Sequence, residues 1–224
     1  VPEGQEYPAL GMYEDYARTP EVVKRGAIIK ITKEALLRDE TGQILEQARR
    51  VGEVIGLGRE IHLTDYVVGA VSNCVIEKRV GDTSEGTYNL FYSSPGSRYV
   101  NQQTNALSDW TDIDDAENLF LGITMPGTGM PPILTQRYLL VPPQLASTAF
   151  RIITATETRT WTNNIVVAGN PLAQRGIQVL VSPLVYTRLV ASGQSAATAA
   201  GIWFYGDLPR AFKYYRHWDL KLEA

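Results

Sequence analysis

From Gln43 to about Val67, the apolar residues Ile44, Ala48, Val51, Ile55 and Ile61 recur at helical spacing, which predicts one long amphipathic helix. Glu46, Arg49, Arg50, Glu53 and Arg59 occupy the remaining surface. Glu46 and Arg50 form an i,i+4 pair in the better orientation, stabilising the helix by about 0.2–0.5 kcal/mol. Gly52, Gly56 and Gly58 act the other way, each costing roughly 1 kcal/mol relative to Ala. A helix so composed must be held by packing, and its glycines permit close approach or a bend. Its charges weigh against reading Gly52 and Gly56 as a membrane motif.

What precedes this helix reads as periphery. Residues 6–32 suit an extended hairpin: Tyr7, Tyr13 and Tyr16 stand near Pro8 and Gly11, and Thr19-Pro20 is a turn. Val22 to Thr32 then mixes β-branched residues with Lys24, Arg25 and Lys30. A two-stranded arm is marginal alone in water and has to lie on something else. Lys33 to Asp39 predicts a short helix, set off from the long one by Thr41-Gly42.

Beyond the long helix, strands are expected at Val75 to Val80 and Thr87 to Tyr92, around the turn Gly81-Asp82-Thr83-Ser84. Ser93 to Ser108 is polar loop. Asp112 reads as the N-cap of a helix reaching about Leu121, with Asp114, Asp115 and Glu117 in its first turns. Pro126 to Pro132 is a turn cluster. Tyr138 to Val141 is a short buried strand stopped by Pro142-Pro143, and a helix follows from Gln144 to Thr154. A loop is expected through Trp161 and Asn164, a strand over Ile177 to Val181, and a mobile Ala-, Ser- and Thr-rich surface loop over Ala191 to Gly201. Ile202 to Tyr205 and Phe212 to Leu222 complete the β content. The class is α+β, with extended peripheral elements and no internal repeat.

The 224 residues suffice for one large or two small domains. A net charge of -3 argues against a dedicated nucleic-acid binder, which would show a basic excess. The lone Cys74 excludes an intramolecular disulfide framework and a cysteine-rich zinc site; in its apolar run it reads as a buried, inert thiol, in keeping with a reducing cytoplasm. No apolar run reaches the ~18 residues of a membrane span. The start, Val1 to Glu6, is polar, with neither an initiator Met nor a signal-peptide core, which implies processing or trimming.

Catalytic patterns are missing. The two histidines, His62 on the long helix and His217 beside Trp218, are not at metal-ligand spacing. There is no G-x-S-x-G elbow, no Walker A sequence and no G-x-G-x-x-G. The acids Asp109, Asp112, Asp114, Asp115 and Glu117 lack the glycine and terminal glutamate of a calcium loop, and the macrodipole of a helix start explains them. No pair of carboxylates stands out for glycoside hydrolysis. The stretch Arg210, Phe212, Lys213, Tyr214, Tyr215, Arg216, His217, Trp218 could stack single-stranded nucleic acid, but a strand with one packed face explains it better.

Three pieces in order carry a resemblance. The first is Val23-Lys24-Arg25-Gly26-Ala27-Ile28-Ile29-Lys30-Ile31-Thr32-Lys33-Glu34-Ala35-Leu36-Leu37-Arg38-Asp39, leading into Ala48-Arg49-Arg50-Val51-Gly52-Glu53. The second is Tyr138-Leu139-Leu140-Val141-Pro142-Pro143-Gln144-Leu145. The third is Asn170-Pro171-Leu172, then Ile177 to Pro183, then Trp203-Phe204-Tyr205-Gly206-Asp207. Across roughly residues 20–220 the chain resembles the major head subunits of Mu-like phages, tailed-bacteriophage major capsid proteins of the Hong Kong 97-type fold.

The resemblance implies a division of labour. Residues 1–34 would be an arm and extended loop lying over a neighbour, and 35–104 a peripheral domain with the long helix as its spine. Residues 105–200 would form an axial domain with the Ala191 to Gly201 loop near the symmetry axis, and 201–224 the return strands. The family continues further than Ala224, implying a longer chain. Lys24, Arg25, Lys30, Arg49 and Arg50 are the expected intersubunit contacts. Some such shells cross-link a loop lysine to a neighbour's asparagine; Lys24 and Lys30 lie in the right element, but no partner motif accompanies them.

The implied function is structural, with no enzyme activity and no cofactor: pentamers and hexamers closing an icosahedral shell around phage DNA. The implied partners are other copies, portal, scaffold and decoration proteins, and packaged double-stranded DNA held without sequence-specific contact, with no membrane. Assembly would take place in the host cytoplasm and end in the virion. The rivals are an encapsulin-like nanocompartment shell, distinguished by bound cargo peptides, and an α+β enzyme, distinguished by a polar pocket in a monomer.

Overall fold

A computed structural model of the chain describes residues 16–18, 32–37, 42–79, 82–94, 99–125, 129–161 and 165–214. Most of the expected hairpin over residues 6–32 lies outside these, with Lys24, Arg25 and Lys30. So do Pro126, residues 215–224 and His217.

Gly42, in the left-handed region at φ 67°, ends the segment after α1 (Lys33–Leu37) and starts α2 (Gln43–Val67). At 1.5 Å per residue, α2 is about 37 Å long. Val51, Ile55 and Ile61 are half-buried, as the helical spacing predicts, whereas Val54 is 65% and Leu57 48% exposed. The firm attachment is at the C-terminal end, where Val67 and Val68 join a core cluster. A Cβ at Gly52, Gly56 or Gly58 would meet nothing within 4 Å, so the close approach these glycines allow is not used among the described residues.

Three antiparallel strands follow the order β1 (Tyr16–Arg18), β2 (Val75–Lys78), β3 (Gly86–Tyr88), with Tyr16 opposite Lys78 and Ile76 opposite Thr87. The strand expected over Thr87 to Tyr92 is therefore shorter and begins at Gly86. Past Tyr88 the backbone leaves the ladder and is held by the Asn101 segment: Tyr92 N–H donates to Asn101 Oδ1 at 2.8 Å, the Asn101 side-chain amide donates to Leu90 O, and Tyr92 O accepts from the Asn101 and Gln102 N–H groups.

The second sheet has β4 (Tyr138–Val141) at its centre, parallel to β7 (Gln178–Val181) and antiparallel to β8 (Phe204–Gly206). Alternation along β4 divides the interior in two. Leu139 and Val141 join Leu107, Ile113, Ala149, Ile152, Leu172 and Ile177 on one face. Leu140 joins Val68, Val185, Leu189 and Ala199 on the other. α3 (Trp110–Leu119), extended by a 3-10 turn over Phe120–Gly122, and α4 (Ala146–Thr154), preceded by one over Pro143–Leu145, accompany the first face.

Several expectations need correction. Asp109, not Asp112, caps α3; Asp112 is the reciprocal partner three residues on, accepting from the Asp109 N–H at 2.8 Å in a capping box. The loop expected through Trp161 contains a hairpin of β5 (Glu157–Trp161) and β6 (Ile165–Gly169), paired Glu157 to Gly169 and Trp161 to Ile165. The Ala191 to Gly201 segment is not a surface loop throughout: α5 (Pro183–Ala191) ends in it, and α6 (Ala196–Gly201) buries Ala199 completely. Between them only a short turn carries Gly193 at φ 102°. Finally, Phe212 to Tyr214 are not strand; they follow a short helix, α7 (Leu208–Ala211).

Candidate functional site

The acidic run on α3 is absorbed by the fold. Asp109 and Asp112 close the capping box, and Asp112 also accepts from the Ser108 N–H and hydroxyl at 2.7 and 2.9 Å. Burial pushes the Asp112 carboxyl up, but the donors of Asp109 and Ser108 outweigh it and hold the group below the usual carboxylate range. Among the described residues, no three of His, Cys, Asp and Glu are grouped to hold a metal ion.

Asp114 and Glu117, one turn apart on α3, face two arginines from distant segments. Arg137, just ahead of β4, donates through Nε and Nη2 to Glu117 Oε1 at 3.1 and 2.9 Å. Arg175 donates to Glu117 Oε2 at 2.8 Å and to Asp114 Oδ1 at 2.7 Å. The Tyr205 hydroxyl on β8 adds a bond to Glu117 Oε2 at 3.2 Å. Burial, then the Glu117 charge, raises this phenol far above its ordinary value, so it stays a donor. Every member of this network is partnered, and its chemistry is that of a clamp joining α3, β4, β8 and the loop after β6. The spacing of Asp114 and Glu117 signals one shared helix face, but nothing local announces arginines 20 to 61 residues away.

Two further polar groups fasten loops to the sheet. Asp207 accepts from the N–H groups of Thr135, Gln136 and Arg210, with Gln136 the chief cause of its lowered pKa. Asn170, 7% exposed, donates to Ile152 O and Ala155 O at 2.8 Å each and accepts from the Leu172 N–H at 3.0 Å. This accounts for the Asn170-Pro171-Leu172 signature. On β2, the buried Glu77 pairs with Arg79 at 3.3 Å, and Arg79 also reaches Thr124 O. Tyr99 nearby is pushed up to about 12 by burial and then by the Glu77 charge. Cys74 is half-buried rather than buried as expected, and its burial raises the thiol pKa.

What remains is surface. Arg49 and Arg50 are both exposed on α2, and Arg50 holds Glu46 at 2.9 Å as the i,i+4 spacing predicts. His62 packs edge-on against Tyr66 of the next turn. Large apolar side chains lie open at Leu121, Met130 and Ile133, and at Leu180 and Val181 on the edge strand β7. A half-open apolar cavity of about 240 Å³ lies between Leu63 and Val67 of α2, Val185 of α5, Leu208 of α7, Phe212 and Tyr214. Arg59 stands over the Tyr214 ring at 5.8 Å.

Comparison with known proteins gives one family. A family model described as "Phage capsid protein" matches residues 15–221. No curated protein and no solved structure matches the chain.

Proposed function

The chain belongs to the phage capsid protein family, a structural family whose members associate into a shell, and we propose that it is the major head subunit of a tailed phage, related to the Mu-like type. The family match over nearly the whole chain carries this reading. It points away from enzymatic function, and it favours a phage shell over a cellular nanocompartment.

In this reading the subunit has the Hong Kong 97-type fold and closes pentamers and hexamers into an icosahedral head around double-stranded DNA. Residues 1–34 are the arm and extended loop, 35–104 the peripheral domain with α2 as spine, 105–200 the axial domain and 201–224 the return segment. The length of α2 and the exposure of Val54 and Leu57 support the spine assignment; the sheet around β4 supplies the core of the axial unit, with β8 of the return segment at its edge and Val67 and Val68 of α2 packed on its second face. Lys24, Arg25, Lys30, Arg49 and Arg50 make contacts between copies. Portal, scaffold and decoration proteins are the further partners, in host cytoplasm and then virion. A shell closes through many weak, symmetric contacts, so no single ion pair has to be strong.

Negative-stain electron microscopy of the purified protein, with its sedimentation profile, tests this. Closed shells or free hexamers and pentamers are expected. A full-length chain that stays monomeric at high concentration would overturn it.

A further inference from the structure

We draw no further inference here: the strongest candidate, the half-open apolar cavity between α2, α5 and α7 beneath Tyr214, carries nothing because it opens where the described residues end and nothing in the structure shows what covers it.

Discussion

Arg188 on α5 grips Asp65 near the end of α2 with both prongs of its guanidinium, Nε to Oδ1 and Nη2 to Oδ2, the latter at 3.1 Å. The two residues are 123 positions apart, and their ion pair is one polar attachment of the long helix to the half that carries β4. Both are partly shielded, with side-chain exposures of 31% and 16%. The geometry is therefore worth more than that of an ordinary surface pair.

Replacing Asp65 by Asn, or Arg188 by Met, should lower subunit stability by about 1.5–3 kcal/mol. Because each change breaks the same ion pair, the double variant should cost less than the sum of the singles. Urea unfolding of the four proteins measures this; a coupling energy near zero would show that the pair is not what fastens α2.

Asn170→Ala leaves the buried Ile152 carbonyl, the partly buried Ala155 carbonyl and the Leu172 N–H without this partner. The expected loss is about 2–3 kcal/mol, larger than for an exposed Asn. A midpoint shift within error of wild type would refute the assigned role.

Asp112 and Asp207 both have folded-state pKa values below the ordinary carboxylate range. A depressed pKa contributes stability that is present above the unfolded value of about 3.9 and is lost as pH falls through the folded one. Denaturant midpoints should therefore fall as the solution is acidified below about pH 4. Asp112→Asn and Asp207→Asn should each make that fall shallower, and an unchanged slope in both would contradict the assignment.

Gly56 and Gly69 should respond oppositely to alanine. Gly56 is helical with open space around its missing Cβ, so Gly56→Ala should stabilise the subunit by about 0.5–1 kcal/mol. Gly69 has φ 71°, and a Cβ there would stand 2.6 Å from Phe91 Cδ2. Gly69→Ala should cost at least about 1 kcal/mol. Thermal melts of the two variants compare them directly, and equal shifts would mean that local backbone conformation is not decisive at these sites.

Deleting residues 6–32, which also removes β1 from its pairing with β2, should abolish shell assembly while leaving the β4-centred core folded, if the rest of that segment is an arm lying over a neighbour. Circular dichroism and electron microscopy of the deletion separate the two effects. A folded variant that still closes shells would remove the arm from the assembly mechanism.

The elements legible in the chain were those with a strong local period or a sharp stop. α2 declared itself through Val51, Ile55 and Ile61, and β4 through an apolar run ended by Pro142-Pro143. The Glu46–Arg50 pair and the acidic start of α3 were equally local. One missed element had a readable signal: α5 begins with Pro183 in its first turn, where the missing N–H costs nothing, and carries Val185 and Leu189 one turn apart. α6 was hidden by composition, since Ala, Ser and Thr suit a solvated loop as well as a helix that buries Ala199.

By itself, then, the sequence determined the class, the long helix, the central strand and the absence of recognisable catalytic motifs. The tertiary structure decided which strand pairs with which, that Asp109 rather than Asp112 caps α3, and that Asp114 and Glu117 bind Arg137 and Arg175 rather than solvent. Periodicity and stop signals act over a few residues and are written locally. Strand partners and ion pairs are chosen across tens of residues by the burial they achieve together, and that choice exists only once the chain has folded.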